Sequence, residues 1–433
     1  MIQTLDNLLL QTQEHETGGV VLGLSRVKQL LCALGNPQQG LQFIHVAGTN
    51  GKGSVIAFLE AILLNAGVKV GVYTSPHLIK FNERIKINRK NISDKDLKNI
   101  LEKVLQVCRN DNIPATFFEI TTAVALLYFA NQGFAKNGDN SAVVILETGL
   151  GGRLDATNVI DPILCIITSI AHDHENFLGD KISQIAQEKA GIIKPAVDVI
   201  AAPGNKDGYD AIRDKAQQVG ANLYALGPEF NFKPTLPASN NWIYQDKLGQ
   251  LTLPKPGLDG EHQYTNCALA VAGIRVLCKQ EWNISDSAIK NGVTTVQWPG
   301  RIQWYRKQKP QFLLDGAHNL HAASKLKKYL LSITDKHNSF ILIFAALKNK
   351  NVEGIIKELL PVIGKVYTVS VGGSRGIGSS ELANIWENLG CPATPCESSL
   401  QAFNLAKTQS NSQQIILVAG SLYLVGEIQS LLQ

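Results

Sequence analysis

The segment from residue 43 to residue 63 constrains the fold more than any other part of this chain. An apolar run at residues 43–47 is typical of a buried strand, and it ends abruptly in a glycine-rich turn at residues 48–54. Apolar residues then recur at helical spacing as far as Leu63. A strand, a glycine-rich turn and a helix in this order can form a phosphate cradle, because inward-facing backbone N–H groups and the positive end of the helix both attract an anion.

The turn carries two side chains that suit a phosphate cradle. Lys52 would add a full positive charge, and Ser54 would add a hydroxyl group suited to Mg²⁺. The spacing departs from the strict P-loop pattern, because only two residues separate Gly48 from the Gly-Lys pair and a glycine stands between Lys52 and Ser54. An ordinary glycine-rich turn between a strand and a helix is the alternative. The choice between the two interpretations depends on residues elsewhere in the chain.

Composition limits the classes of protein that this chain can belong to. Its 433 residues, 45% hydrophobic and 18% charged, suffice for two or three domains with cores of their own. A net charge of +5 suits small anionic substrates, whereas a nucleic-acid surface needs lysines and arginines clustered on one face. The densest basic patch, residues 80–90, contains only one stacking aromatic, Phe81. We therefore expect no nucleic-acid partner.

The cysteines and the apolar runs indicate the compartment. Seven cysteines are scattered without a C-x-x-C pair, which indicates neither a zinc site nor a disulfide framework. Reduced thiols are typical of the cytoplasm. The first residues do not form a signal peptide, and there is no apolar run of about 18 residues that could span a membrane. We expect a cytoplasmic protein without a membrane partner.

Apolar strands alternate with helical stretches through most of the chain. Because these strands are apolar throughout, they predict a mostly parallel sheet that is covered on both faces. Residues 222–256, punctuated by prolines, predict a small β-rich segment instead. Near residue 298 the alternation restarts with four more apolar strands. We predict an α/β protein with a first domain at residues 1–297 and a smaller α/β domain at residues 298–433.

Polar side chains gather where the predicted strands end. In open α/β sheets ligands bind beyond the carboxyl ends of the strands, whereas residues without a shared role would be scattered over both ends. This pattern favours a nucleotide-dependent enzyme whose site lies between the two domains. The residues concerned are Lys52, Ser54, Ser75, His77, Glu147, His172, Asp173 and His174 in the first domain, and Asp315, His318, Lys348 and Ser421 in the second.

Each of these residues also has an ordinary structural interpretation. Glu147 follows four apolar residues, so it should be half-buried and should need a cation. Of His172 and His174, at least one is expected to be structural, and Lys189 could simply be an exposed helix lysine. Hydroxyl, carboxylate and imidazole groups around a phosphate turn suit Mg²⁺ better than zinc.

The order of the motifs is similar to that of a known family. From about residue 20 to Ser421 the chain resembles the folylpolyglutamate synthase/dihydrofolate synthase family, within the wider Mur ligase family. The stretches that carry the resemblance are residues 45–54, 74–78 with 83–84, 147–158, 173–174 with 178–179, 188–194, 262–266, 298–301 and 314–319.

The resemblance implies a P-loop ATPase domain and a smaller C-terminal ligase domain that hold ATP between them. It also implies a reaction in which a substrate carboxylate attacks the γ-phosphate of ATP to give an acyl phosphate. The amino group of L-glutamate then displaces phosphate and forms an amide. The implied acceptors are dihydropteroate and tetrahydrofolate, and we expect the enzyme to act as a monomer.

The resemblance also implies roles for single residues. Two Mg²⁺ ions are implied, one held by Ser54 and Glu147, the other by Ser75, His174 and again Glu147. Lys189 resembles the family's carbamylated lysine, which would hold the second metal. The implied catalytic residues are Lys52, Lys189, His174, Arg301 and His318. The implied ATP contacts are Gly48, Thr49, Asn50, Gly51, Lys52, Gly53, Ser54, Asn266, Arg301 and Asp315.

The remaining implied contacts concern the two other substrates. Lys348, Lys350 and Ser421 are candidates for the glutamate side. One departure from the family is that its Asp-Lys-Asp is replaced by Asn349, Lys350 and Asn351, which puts the role of those acids in doubt. Candidates for contact with the pterin-bearing substrate are Phe118, Thr122, Gly152, Arg153, Leu154, Asp155 and Ala156.

Two alternatives stay open at this point. The same architecture serves Mur-type ligases of peptidoglycan precursors, although the motifs at residues 51–54 and 154–158 resemble the folate branch more closely. A P-loop ATPase switch without ligase activity would need only the first domain, and it would leave Asp315 and His318 unexplained. The loop at residues 154–158 favours an enzyme that has both folate activities.

Overall fold

The computed structural model of this chain describes residues 4–14, 21–134, 140–234, 240–334, 340–410 and 414–433. Within these residues the strands form an eight-stranded, a three-stranded and a six-stranded sheet. The α/β architecture with mostly parallel sheets is confirmed.

The eight-stranded sheet has the order β4-β3-β2-β5-β1-β6-β7-β8, and its strands from β2 to β8 in this order run parallel. Strand β1 lies between β5 and β6, and all of its residues are buried. The turn that follows β1 therefore starts from the middle of the sheet's carboxyl edge. The strands are β1 (Phe43–Ala47), β2 (Lys69–Tyr73), β3 (Ile85–Ile87), β4 (Lys90–Asn91), β5 (Ala142–Glu147), β6 (Leu164–Ile167), β7 (Asp198–Ala201) and β8 (Leu223–Ala225).

Helices cover both faces of this sheet. In β1, Ile44 and Val46 pack in one hydrophobic cluster, and Phe43 packs in another on the opposite face. This alternation explains why the strand is apolar throughout. The helices are α1 (Leu5–Glu14), α2 (Ser25–Ala33), α3 (Lys52–Asn65), α4 (Asp94–Asn110), α5 (Phe117–Asn131), α6 (Glu175–Leu178), α7 (Ile182–Ala190), α8 (Lys206–Val219), α9 (His262–Lys279) and α10 (Asp286–Thr295).

The predicted β-rich segment is an antiparallel three-stranded sheet. Its strands are β9 (Phe230–Pro234), β10 (Asn241–Asp246) and β11 (Gly249–Pro254), with β10 in the middle. Trp242 and Tyr244 of β10 are fully buried, because their rings join the cluster that also contains residues of α3 and α9.

The six-stranded sheet forms the C-terminal part, in the order β12-β13-β17-β14-β15-β16. Among its described strands, only β12 is antiparallel to its neighbour. The strands are β12 (Gln303–Tyr305), β13 (Gln311–Leu314), β14 (Phe340–Phe344), β15 (Ile363–Thr368), β16 (Ala393–Pro395) and β17 (Ile415–Ala419). The helices are α11 (Leu320–Ile333), α12 (Val352–Leu359), α13 (Ser379–Asn388), α14 (Ser399–Gln409) and α15 (Leu422–Leu432).

The basic patch at residues 80–90 is partly an internal structure. Its residues form the hairpin of β3 and β4 at the edge of the large sheet. The guanidinium of Arg84 is buried and lies 5.4 Å from the ring centroids of both Phe81 and Phe117. The ammonium of Lys86 lies 5.1 Å from the ring centroid of Trp298. Two of these cations thus pack on aromatic rings.

The boundary at residue 298 stays a prediction. Within the described parts of the chain, no helix is long and apolar enough to cross a bilayer.

Candidate active site

A cavity of about 1090 Å³ lies where the carboxyl ends of the two parallel sheets face each other. Residues 48–54, Glu147 and Lys189 line it from the large sheet, and residues 315–318 with Ser421 line it from the six-stranded sheet. All the predicted strand-end residues except His77 and His172 therefore meet in one place. The implied site residues that line the cavity are Gly48, Thr49, Asn50, Gly51, Lys52, Gly53, Ser54, Ser75, Glu147, His174, Lys189, Asn266, Arg301, Asp315, His318, Lys348 and Ser421.

The phosphate turn depends on its glycines. Gly51 has a φ of 92°, and a Cβ atom there would lie 2.5 Å from the side-chain oxygen of Asn266. A Cβ atom at Gly48, whose φ is 150°, would lie 1.8 Å from the hydroxyl oxygen of Thr168. The Lys52 ammonium donates to the carbonyl oxygen of Gly48 at 3.1 Å and so folds back over the turn. The turn therefore has the compact form and the charge of an anion site.

Glu147 is the buried carboxylate at this turn. One of its oxygens lies 3.8 Å from the Lys52 ammonium, and the other accepts a hydrogen bond from the backbone N–H of Ser75 at 3.0 Å. Burial raises the pKa of Glu147, and the charge of Lys52 opposes that shift. Ser54 lies buried in the first turn of α3. Hydroxyl and carboxylate oxygens here are the ligand types that Mg²⁺ prefers.

Lys189 is buried near the end of α7, so it is not an exposed helix lysine. Its ammonium donates to the carbonyl oxygen of Gly48 at 3.0 Å. Burial, together with the nearby charge of Lys52, lowers the pKa of Lys189 to about 7. A substantial fraction of this amine is therefore neutral near neutral pH.

The loop after β6 brings an aspartate and a histidine to the cavity. Although burial alone would raise it, the charge of Lys350 holds the pKa of Asp173 well below its usual range. Burial, followed by the charge of Lys350, lowers the pKa of His174 to about 4, so its ring is neutral and can bind a metal. His172 is exposed, pairs with Glu175 at 3.2 Å and does not line the cavity.

The opposite wall is organised around Asp315. Its two oxygens accept hydrogen bonds from the backbone N–H groups of Ile302 and Ala317, both at 2.9 Å. The carboxylate thus joins the loop that carries Arg301 to the end of β13. The Nδ1 atom of His318 donates to the carbonyl oxygen of Gly316 at 2.7 Å, and burial is the main cause that lowers its pKa to about 4.

The asparagine at position 351, where the family often has an aspartate, has a local structural explanation. The Asn351 side chain accepts a hydrogen bond from the backbone N–H of Gly354 at 2.9 Å and caps α12. An aspartate would serve equally well as a cap at this position. Lys348 is exposed and donates to the carbonyl oxygen of Ser374 at 3.1 Å, whereas Lys350 points into the site.

The predicted pterin contacts lie behind the cavity wall. Residues 149–151 line the cavity, and the carboxylate of Asp155 holds them by accepting hydrogen bonds from the backbone N–H groups of Gly149 and Leu150 at 2.9 and 2.8 Å. Arg153 is exposed and pairs with Glu188 at 2.8 Å. The implied substrate residues that do not line the cavity are Phe118, Thr122, Gly152, Arg153, Leu154, Asp155 and Ala156.

Several lining residues had no role in the sequence interpretation. Arg375 lies in a glycine-rich stretch just after β15, a signal that could have identified it. Asn319, which does not itself line the cavity, pairs with Asn50 of the phosphate turn through both amide groups, at 3.2 and 3.0 Å. No local pattern predicts this pair, because its members are 269 residues apart. Further examples are His262, Gln263, His321, Lys325 and Tyr423.

The chain is similar to known proteins over nearly its whole length. The family model described as "Dihydrofolate synthetase, C-terminal domain" matches residues 300–432. The chain is 36% identical over 425 residues to the dihydrofolate synthase/folylpolyglutamate synthase of Bacillus subtilis, covering 96% of each chain. It is 33% identical over 412 residues to the Escherichia coli protein of the same name, covering 95% of this chain and 91% of that protein.

Two solved structures have the same fold over almost their whole length. E. coli FolC in complex with DHPP and ADP superposes with a TM-score of 0.88 at 31% identity, covering 99% of this chain and 97% of that one. The bifunctional Yersinia pestis enzyme complexed with AMPPNP and Mn ion gives a TM-score of 0.86 at 32% identity, covering 99% and 98%. This chain therefore belongs to the dihydrofolate synthase/folylpolyglutamate synthase family, the ATP-dependent ligases that join glutamate to folates.

Proposed function

We propose that this enzyme adds L-glutamate both to dihydropteroate and to tetrahydrofolate. The observation that carries the proposal is the cavity of about 1090 Å³, because it has a phosphate turn on one wall and the cations Arg301 and Lys350 on the other. The B. subtilis relative bears both activities in its name, whereas relatives from Saccharomyces cerevisiae and Lacticaseibacillus casei are named for one each. The double name of the B. subtilis relative supports two activities in one chain of this family.

The first step is attack of the acceptor carboxylate on the γ-phosphate of ATP, which releases ADP and leaves an acyl phosphate. Two anions have to approach each other, so the site must offset their repulsion. We assign this role to Lys52 on the phosphate turn and to Arg301 on the opposite wall. Asn266 supports the turn from α9, since its side-chain oxygen would lie only 2.5 Å from a Cβ atom at Gly51.

We propose Ser54 and Glu147 as ligands of one Mg²⁺, and Ser75, His174 and Glu147 as ligands of a second. The described residues include no cluster of three His, Cys, Asp or Glu side chains that could hold a metal alone. Phosphate oxygens and water would complete the coordination, as is usual for Mg²⁺. The bound ions would neutralise phosphate charge. The Mn ion and AMPPNP in the Y. pestis structure support a divalent metal at a nucleotide.

Lys189 is the proposed carbamylated residue. Carbon dioxide forms a C–N bond with a neutral amine, which releases one proton to water, and the lowered pKa of Lys189 makes the neutral amine available near pH 7. The carbamate is an anion, so the modification would turn a buried cation into a candidate ligand for the second ion. Without it, Lys189 and Lys52 place two positive charges around the carbonyl oxygen of Gly48.

The second step is attack of the glutamate amine on the acyl phosphate, which forms the amide and releases inorganic phosphate. We assign the glutamate carboxylates to Lys350 and Lys348, with His318 and Ser421 on the same wall. A solved relative with a TM-score of 0.86 and 32% identity has Mn, AMPPNP and L-glutamate bound, which supports an amino-acid site in this fold.

The acceptor would lie along residues 149–151, with Phe118 behind them, since a Cβ atom at Gly149 would lie 2.5 Å from that ring. Asp155 would support this loop.

The test supplies ATP and glutamate with dihydropteroate or tetrahydrofolate in turn and identifies the products by mass. We expect both acceptors to gain one glutamate residue. A product from only one acceptor would contradict the double activity, and ATP hydrolysis that needs no acceptor would favour an ATPase switch.

A further inference from the structure

Asp173 connects the two walls of the cavity. It follows β6 of the large sheet, and one of its carboxylate oxygens lies 2.5 Å from the ammonium of Lys350, which follows β14 of the other sheet. The second oxygen accepts a hydrogen bond from the side-chain amide of Asn319 at 3.1 Å and lies 4.0 Å from Nε2 of His318. Side chains of the C-terminal part thus surround a carboxylate of the N-terminal part.

The ion pair of Asp173 and Lys350 is not explained by its contribution to the stability of the fold. The side chains of Asp173 and Lys350 are only 9% and 7% exposed, and the loss of water from two buried charges offsets much of their attraction. The backbone near Lys350 is already held by the Asn351 cap of α12. What the pair adds is a fixed place for the ammonium, at the end of a side chain that otherwise has many conformations.

We propose that Asp173 is a positioning residue for the glutamate substrate, and that it acts by holding the Lys350 ammonium in the cavity wall. This inference rests on the proposed role of Lys350 as a glutamate-binding cation. A lysine ammonium has three N–H donors, and Asp173 takes one of them. The others can then serve a substrate carboxylate whose position is set by Asp173.

Asn319 connects this arrangement to the phosphate turn. The amide that donates to Asp173 also forms the reciprocal pair with Asn50. The position of the Lys350 ammonium is therefore tied to the turn where the γ-phosphate would bind. A glutamate amine that is held at a fixed distance from the acyl phosphate reacts much faster than one that is free to move.

The test is a double-mutant cycle with Asp173→Asn and Lys350→Met. We expect Asp173→Asn to raise the KM for glutamate about 10-fold and to leave the KM for ATP within about twofold. Lys350→Met should raise the KM for glutamate at least as much. Because Asp173 acts through Lys350, the double variant should be no worse than Lys350→Met alone. Asp180→Asn, which removes an exposed carboxylate seven residues along the same stretch, should change nothing.

The outcomes separate this inference from the proposed function. If Lys350→Met leaves the KM for glutamate unchanged, the proposed glutamate role of Lys350 is wrong. If Lys350→Met raises it but Asp173→Asn does not, or if the two effects multiply in the double variant, the positioning role is wrong and the proposed function stands. If Asp173→Asn changes the Mg²⁺ requirement but leaves the KM for glutamate unchanged, the positioning role is likewise wrong. Should Asp173→Asn not fold, Asp173→Glu carries the same test, because it moves the charge by one methylene.

Discussion

The ammonium of Lys189 donates to the carbonyl oxygen of Gly48 at 3.0 Å, so a buried helix lysine touches the first glycine of the phosphate turn. Lys52 of the turn approaches the same oxygen at 3.1 Å. Two like charges at one carbonyl group, in a buried place, are unfavourable unless one of them is removed. Burial, and after it the charge of Lys52, lowers the pKa of Lys189 to about 7, and carbamylation would remove the second positive charge.

We predict that the enzyme needs carbon dioxide for full activity, because Lys189 has to be carbamylated. The amine becomes protonated as the pH falls through about 7, so the carbamate and the activity should both decrease below that pH. Native mass spectrometry should detect an added CO₂ above pH 7, and removal of bicarbonate should lower the rate reversibly. Lys189→Met should lack both the added mass and the bicarbonate response. Fully active enzyme without the added mass would exclude the modification.

We predict that Gly51→Ala weakens ATP binding more than it weakens the fold. The positive φ costs an alanine about 1 kcal/mol, and the new Cβ atom collides with Asn266 in the site. Gly67→Ala is a matched control, because Gly67 has a φ of 79° and a Cβ atom there would meet no other atom within 4 Å. Both variants should lose stability in urea because of the positive φ, and Gly51→Ala should lose more because of the collision; only Gly51→Ala should raise the KM for ATP, by about 10-fold. Equal KM values would show that the turn tolerates the side chain.

We predict that Asp155→Asn loosens the loop at residues 149–151. An amide keeps one acceptor oxygen, so at least one buried donor loses its partner, at a cost of about 2 kcal/mol. The free energy of unfolding should fall by that amount, and the KM for dihydropteroate should rise while the KM for ATP changes little. Asp161→Asn, at an exposed carboxylate, is the control. A variant with native stability and native KM values would argue against the supporting role.

We predict that the family's aspartate can be restored at position 351 without loss. Asn351→Asp should keep the cap of α12, whereas Asn351→Ala should lose about 1 kcal/mol of stability. Chemical unfolding of both variants measures the difference. If Asn351→Asp destabilises the protein as much as Asn351→Ala, the cap does not explain why either residue is accepted there.

Much of the first sheet could be predicted from sequence, for a physical reason. Strand β1 has the predicted bounds, residues 43–47, because it is an apolar run that ends at a glycine. Strands β12 and β16 were missed, because three residues at a sheet edge carry no clear periodicity. The β3–β4 hairpin was hidden in a basic patch, where Arg84 packs between two phenylalanine rings.

The part of the site that lies at the carboxyl ends of parallel strands could be predicted from the sequence. Lys52, Glu147 and His174 share a sheet edge because Glu147 ends one strand of the sheet and the other two residues follow the next two strands in the sheet order. The contact between Asp173 and Lys350 could not be predicted, because it depends on how two separate sheets pack against each other. The placement of Asp155 behind the wall likewise follows from hydrogen bonds in the folded loop, which no spacing in the sequence indicates.

Lys52→Ala provides the most direct test of the central claim, that the charges of this cavity bring ATP and an acceptor acid together. Wild-type enzyme with ATP, glutamate and dihydropteroate should yield ADP, phosphate and a product heavier by one glutamate residue. Lys52→Ala should lower kcat by about 100-fold or more, while Lys98→Ala, at a surface ion pair of α4, should not. Turnover by Lys52→Ala at the wild-type rate, with the same product, would contradict the account.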